Sequence, residues 1–213
     1  MTVLRSTAAI GAGYLLGTVP SADLAGKIVG VSVRTAGTGN PGAINASVLL
    51  GKRWGTAVAA VDMAKGWAAG AVGQRVGPTT AYAAATAAVV GHVFPVWSRF
   101  QGGKGVATSY GAVLGVFPAY AAPDLLVAAA AARSTMHPRR ANDISSAVWT
   151  AAALLWWRKK WPNLWGPPAT AALPVHVALT SGLISWRFRQ PERITDGARL
   201  GDSQSDTLSD SQT

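Results

Sequence analysis

Long uncharged stretches alternate along the chain with short, polar, glycine-rich segments. Residues 78–97, 107–122 and 164–186 contain no Asp, Glu, Lys or Arg. A helix needs about 20 apolar residues to cross the hydrocarbon core of a bilayer. The first and third stretches reach that length directly, and the second does so if it continues past Asp124 to Ala132. Ala and Gly, rather than Leu, fill these stretches, which holds the mean hydropathy to +0.23. Small residues let helices approach closely inside a membrane. The pattern predicts seven helical spans near 6–30, 54–74, 78–97, 105–120, 121–133, 142–158 and 167–187. Pro118 and Pro123 place a tight turn between the fourth and fifth; a single kinked span there would leave six. The expected fold class is therefore all-α, a polytopic transmembrane helical bundle forming one domain over residues 1–200. The alternative is a soluble, Ala-rich helical bundle. The tail from Gly201 to Thr213 is polar and rich in Ser and Asp, so it is expected to be disordered.

Charge sharpens this picture. Only 13% of residues are charged, against about 25% in soluble domains. The net charge of +10 comes from cations at the ends of apolar runs, without the interleaved basic and aromatic surface of a nucleic-acid binder. Anionic headgroups and phosphorylated substrates fit them better. With the N-terminus outside, the outer segments hold five cations: Arg5, Arg75, Arg158, Lys159 and Lys160. Lys27 and Lys65 fall within spans, leaving 12 of the 19 Lys and Arg inside. Positive-inside favours that orientation, and the run Arg158–Lys160, flanked by Trp156, Trp157, Trp161 and Trp165, dissents from it. The first apolar run lacks a convincing cleavage site and reads as a retained span. Having no Cys, the chain has no thiol nucleophile or disulfide, and its three His are too scattered to hold a metal. No cofactor is implied.

Two glycine-rich segments on the expected cytoplasmic side carry the candidate chemistry: Gly37-Thr-Gly-Asn-Pro-Gly-Ala-Ile-Asn45 and Phe100-Gln-Gly-Gly-Lys-Gly-Val-Ala-Thr108. The first formally matches GxGxxG, but nothing here offers the parallel sheet that a dinucleotide site requires. The second lacks the first Gly and the Ser or Thr of a Walker loop. What remains is a physical reading. Glycines expose backbone amides, Arg34, Arg99 and Lys104 add positive charge, and a helix start after Lys104 favours anions. Asp62 and Lys65, three residues apart within a span, are expected to pair with one another or with other polar groups. His92 is either a packing residue or a base. His137 and His176 have no supporting context.

The blocks Gly17-Thr-Val-Pro-Ser21, Val33 through Asn45, Asp62-Met-Ala-Lys-Gly66, Gly91-His-Val-Phe-Pro95 and Phe100 through Thr108 resemble, in order and spacing, the bacterial acyl-phosphate:glycerol-3-phosphate acyltransferases. The resemblance covers roughly residues 10–145. It implies an inner-membrane enzyme of phospholipid synthesis with seven spans and a site facing the cytoplasm, without metal. A fatty acyl group would pass from acyl phosphate to the hydroxyl of glycerol 3-phosphate. On that basis Thr18, Arg34, Asn45, His92 and Lys104 are candidate catalytic residues. Gly37, Gly39, Asn40, Gly42, Gly102, Gly103, Gly105, Thr108, Arg139 and Ser145 are candidate substrate contacts. The chain departs from the family pattern at Thr18, Gln101 and Asn142, and again in Arg187 through Gly197, where only the arginines and Gly197 align. A non-catalytic or transporting paralogue that binds a phosphorylated metabolite is the rival, although no internal repeat supports transport. A transferase with another acceptor is a further reading. Acyl-chain length and oligomeric state stay open.

Overall fold

The computed structural model describes residues 2–133, 135–164 and 166–191. The expected disordered tail, Trp165 and Gly197 lie outside these residues. Among the described residues every regular element is helical: α1 (Thr2–Gly17), α2 (Ser21–Val29), α3 (Ala43–Leu50), α4 (Lys52–Gln74), α5 (Pro78–Val93), a 3₁₀ turn (Val96–Ser98), α6 (Val106–Val116), α7 (Pro118–Arg133), α8 (Pro138–Lys159) and α9 (Ala172–Arg189). The all-α expectation holds.

Two predicted segments are corrected. Segment 6–30 is two helices, because Pro20 cannot donate a backbone hydrogen bond and biases Val19 away from the helical region. The Thr18 hydroxyl closes α1 by donating to the Leu15 carbonyl at 2.7 Å. The turn expected through Pro118 and Pro123 lies instead at Phe117. Pro118 opens α7, a position where the missing N–H costs nothing, and Pro123 lies inside that helix. The remaining predicted segments each coincide with one α-helix, and in segment 78–97 the 3₁₀ turn follows it. By length and composition, one helical stretch among the described residues, Pro78–Ser98, is long and apolar enough to cross a membrane.

The described residues form two compact units, one built from the segments before Pro20 and after Ala59, the other from residues 20–59. In the first unit the usual size order of a core is inverted. Ala81, Ala84, Ala85 and Ala88 of α5 are fully enclosed, while Leu4, Leu126, Leu179 and Trp67 are half or more exposed. A water-facing surface of that kind is costly. In lipid, large apolar side chains outside and small ones between helices are what packing favours. The inward small residues set helix spacing: a side chain on Gly13 or Gly17 of α1 would collide with the backbone of Ala84 or Ala88, and one on Gly91 with the carbonyl of Tyr14. The α4–α6 contact uses the same device, Gly66 against Thr108 and Gly111 against Met63. Larger core residues gather around Phe117, Trp149 and Leu173.

The second unit is smaller. Ala22 and Ala25 of α2, Ala46 of α3 and Val58 of α4 surround Val33, with Leu49, Leu50 and Trp54 packed beside them. The loop between α2 and α3 is thereby folded onto its own small core.

Candidate active site

The loop of the first unit, residues 99–105, joins the 3₁₀ turn to α6. Its amides are captured by the end of α5: Gly102 N–H donates to the Val93 carbonyl at 2.9 Å and Gly103 N–H to the His92 carbonyl at 3.2 Å. Glycine is required at 102, since a Cβ there would run into the His92 carbonyl. Arg187 of α9 donates to the Gly102 carbonyl at 3.3 Å. Gly105, in the left-handed region at φ 86°, turns the chain into α6. Lys104 therefore sits just before a helix start, with its ammonium 4.7 Å above the Phe188 ring. One turn into α6, the Thr108 hydroxyl is fully buried and has no hydrogen-bond partner among the described residues.

Other candidates in this unit have defined partners. The Thr18 hydroxyl accepts from Trp97 Nε1 at 3.0 Å, so both its donor and one acceptor site are engaged. His92 is buried with Nδ1 3.6 Å from Asp62. Asp62 pairs with Lys65 at 2.8 Å, as its spacing predicts, and Lys65 also donates to the Val19 carbonyl at 3.0 Å. Arg139, in the first turn of α8, is exposed. Ser145 lines a cavity of about 60 Å³ with Ser109, Asn142, Ser146, Thr180 and Ser181. Asn142, standing where the family pattern has a serine, donates to Ser185 at 2.9 Å.

The loop of the second unit is organised around a single side chain. Asn45 of α3 is buried; its amide donates to the carbonyls of Val33 at 2.8 Å and Ala36 at 3.2 Å. Its Oδ1 accepts from the Thr38 N–H at 3.0 Å. The group expected to position a substrate hydroxyl is thus committed to holding its own loop. Gly37 and Gly39 take left-handed conformations, at φ 58° and 67°. Gly42 precedes α3, and the buried Oδ1 of Asn40 has no hydrogen-bond partner among the described residues. Arg34 makes a two-pronged ion pair with Asp23 of α2, Nε to Oδ1 and Nη2 to Oδ2, both 2.7 Å.

Sequence reading passed over Asp23, Phe188, Trp97 and a specific role for Arg187. Each acts across 11 or more residues, and no local spacing announces such partners. Arg187 alone had a signal, in the arginines of the C-terminal block.

Comparison with known proteins identifies the family. The glycerol-3-phosphate acyltransferase family model matches residues 7–197. The glycerol-3-phosphate acyltransferase of Pseudomonas aeruginosa is 37% identical over 83% of this chain and 88% of its own. The Sinorhizobium fredii enzyme of that name is 39% identical over 64% of this chain and 68% of its own. The match to the Myxococcus xanthus enzyme of that name, at 42% identity, covers 54% of this chain and 62% of the relative. Among solved structures, the glycerol 3-phosphate form of PlsY, an integral membrane glycerol 3-phosphate acyltransferase, superposes with a TM-score of 0.73 at 28% identity, covering 86% of this chain and 88% of that one. The lysophosphatidic acid form gives 0.70 at 27%. By its matched length, its ordered motif blocks and its helical architecture, this chain belongs to the glycerol-3-phosphate acyltransferase family.

Proposed function

We propose that this protein acylates glycerol 3-phosphate in phospholipid synthesis, taking the fatty acyl group from acyl phosphate and releasing lysophosphatidic acid and inorganic phosphate. It works from the inner membrane, crossed by seven spans, with both glycine loops open to the cytoplasm and residues 1–200 acting as one functional domain. The observation that carries this reading is the shared design of the two loops. Each is held by hydrogen bonds within its own unit, carries a cation, and has in it or just after it a buried polar atom with no hydrogen-bond partner among the described residues. Such cationic loops suit phosphate, and the relatives named above act on a phosphorylated acceptor.

The chemistry fits these residues. The hydroxyl oxygen of glycerol 3-phosphate attacks the carbonyl carbon of acyl phosphate. The carbon–oxygen bond to phosphate breaks, and the departing phosphate takes the hydroxyl proton. His92, enclosed beside Asp62, stays a supporting residue and not the base. Acyl phosphate is already activated, so catalysis needs two anions held together and stabilisation of charge on the leaving group. Lys104 and the amides opening α6 supply this for one phosphate, on a loop fixed in place by Gly102 and Gly103, with Thr108, Ser145 and Arg139 as further contacts. Arg34, fixed in direction by Asp23, serves the other, with Gly37, Gly39, Asn40 and Gly42 shaping the loop around it as substrate contacts. Thr18 and Asn45 act as positioning residues.

The test is an assay of purified protein in lipid with acyl phosphate and glycerol 3-phosphate, alongside acyl-CoA and acyl-carrier-protein controls. Transfer from acyl phosphate alone is the expected result. Lys104→Gln should remove charge-assisted binding worth about 1.5–3 kcal/mol, a loss of roughly 10- to 150-fold in efficiency. Binding of glycerol 3-phosphate without transfer from any donor would establish the non-catalytic paralogue instead, the reading favoured by the altered C-terminal block.

A further inference from the structure

A second cationic site lies at the other end of the first unit. Helix α8 has 22 residues and so extends about 33 Å. Near its start, Asn142 and Ser145 line the small cavity with Val106 and Ile184, beside the Lys104 loop. Past its far end, Trp157, Lys160, Trp161, Pro162, Asn163 and Pro168 line a separate cavity of about 250 Å³. The walls are built firmly. Trp156 Nε1 donates to the carbonyls of Trp161 at 3.1 Å and Pro162 at 3.3 Å, and its ring meets those of Trp161 and Phe117 edge-on. Asn163 donates to the carbonyls of Val116 at 3.2 Å and Pro167 at 2.9 Å.

Cations cluster at this end. Arg158, Lys159 and Lys160 are consecutive and exposed, and none makes an ion pair among the described residues. Residues 144–191 contain no Asp or Glu. Arg75 adds a fourth cation to this end, because its neighbour Gln74 donates to the Gly115 carbonyl beside Asn163's partner Val116. Lys160 itself adopts a left-handed backbone at φ 53°, a position usually given to Gly or Asn. A lysine kept there at a conformational cost points to use of its ammonium.

We propose that this cavity binds the headgroup phosphate of an anionic phospholipid, apart from the acyl-transfer site. Indole rings settle at the level of the glycerol backbone, and cations beside them meet the phosphate. A zwitterionic headgroup would bring its own cation against those already there; an anionic one does not. Such a lipid also supplies the counter-charge for three cations that run against the charge bias of the rest of the chain.

The experiment compares phosphatidylglycerol, phosphatidylcholine and inorganic phosphate as ligands of the delipidated full chain, by native mass spectrometry. The parent should prefer phosphatidylglycerol at least tenfold over phosphatidylcholine. One cation near a membrane surface contributes about fivefold in affinity. Lys160→Gln should therefore weaken phosphatidylglycerol binding about fivefold, and neutralising Arg158, Lys159 and Lys160 together on the order of 100-fold. Phosphatidylcholine binding should be unchanged, and acyl transfer, measured as a folding control, should persist. Equal affinity for both lipids overturns the proposal, as does undiminished phosphatidylglycerol binding by the triple variant. Displacement of the lipid by equimolar inorganic phosphate would mark a free-phosphate site and also overturn it.

Discussion

The two glycine loops look alike in sequence and are held by different means. Loop 99–105 is gripped by backbone: carbonyls at the end of α5 accept its amides, and Gly102 lies so close that no side chain fits. Loop 33–45 is gripped by one side chain, Asn45, whose amide makes three hydrogen bonds to it. Glycine thus serves different ends. In the first loop it permits close approach, and in the second it permits left-handed turns at Gly37 and Gly39. A loop held by backbone is sensitive to added bulk, whereas one held by a single side chain is sensitive to the loss of that side chain.

The largest effect should come from Asn45→Ala. Buried polar groups left unpaired cost about 1–3 kcal/mol each, and this change strands the Val33 carbonyl among others. We expect about 3 kcal/mol of lost local stability and a fall in transfer efficiency on the order of 100-fold. Hydrogen exchange at the Thr38 amide should accelerate together with its neighbours. If that amide stays protected, the loop does not depend on Asn45 and the contrast collapses. Gly102→Ala comes next, at about 2 kcal/mol, the usual scale for forced overpacking. It should raise exchange at Gly103 while leaving Thr38 untouched; an unperturbed Gly103 would mean that the close approach to His92 is not what fixes this loop. The smallest effect is Gly39→Ala, where a left-handed alanine costs about 1–2 kcal/mol. Binding of glycerol 3-phosphate should weaken several-fold by calorimetry, with a fall of a few degrees in thermal midpoint, on the order of 2–4 °C per kcal/mol. A loss as large as that of Asn45→Ala would show that backbone conformation, not the side-chain clamp, dominates this loop.

Much of this was legible along the chain. Uncharged, Ala-rich stretches implied a helical membrane protein, and the Asp62–Lys65 pair followed from its three-residue spacing and the cost of burying charge. The positions of both loops and their cations followed from glycine and charge patterning. The break at Pro20 was also available from the proline itself, but the largely apolar residues on both sides masked it. The displaced α6–α7 turn was a choice between two prolines that local rules rank poorly.

Sequence alone determined the helical class, the membrane character and the family, because each depends on the order of residues along the chain. Tertiary structure decided what each candidate side chain does. It directed Arg34 onto Asp23, placed Lys104 over Phe188 and committed Asn45 to its own loop, while buried polar atoms of Thr108 and Asn40 meet no hydrogen-bond partner among the described residues. Those outcomes depend on which groups meet across 7 to 84 positions of chain. Helical periodicity carries information over only a few turns, so such meetings are set by packing and not by spacing.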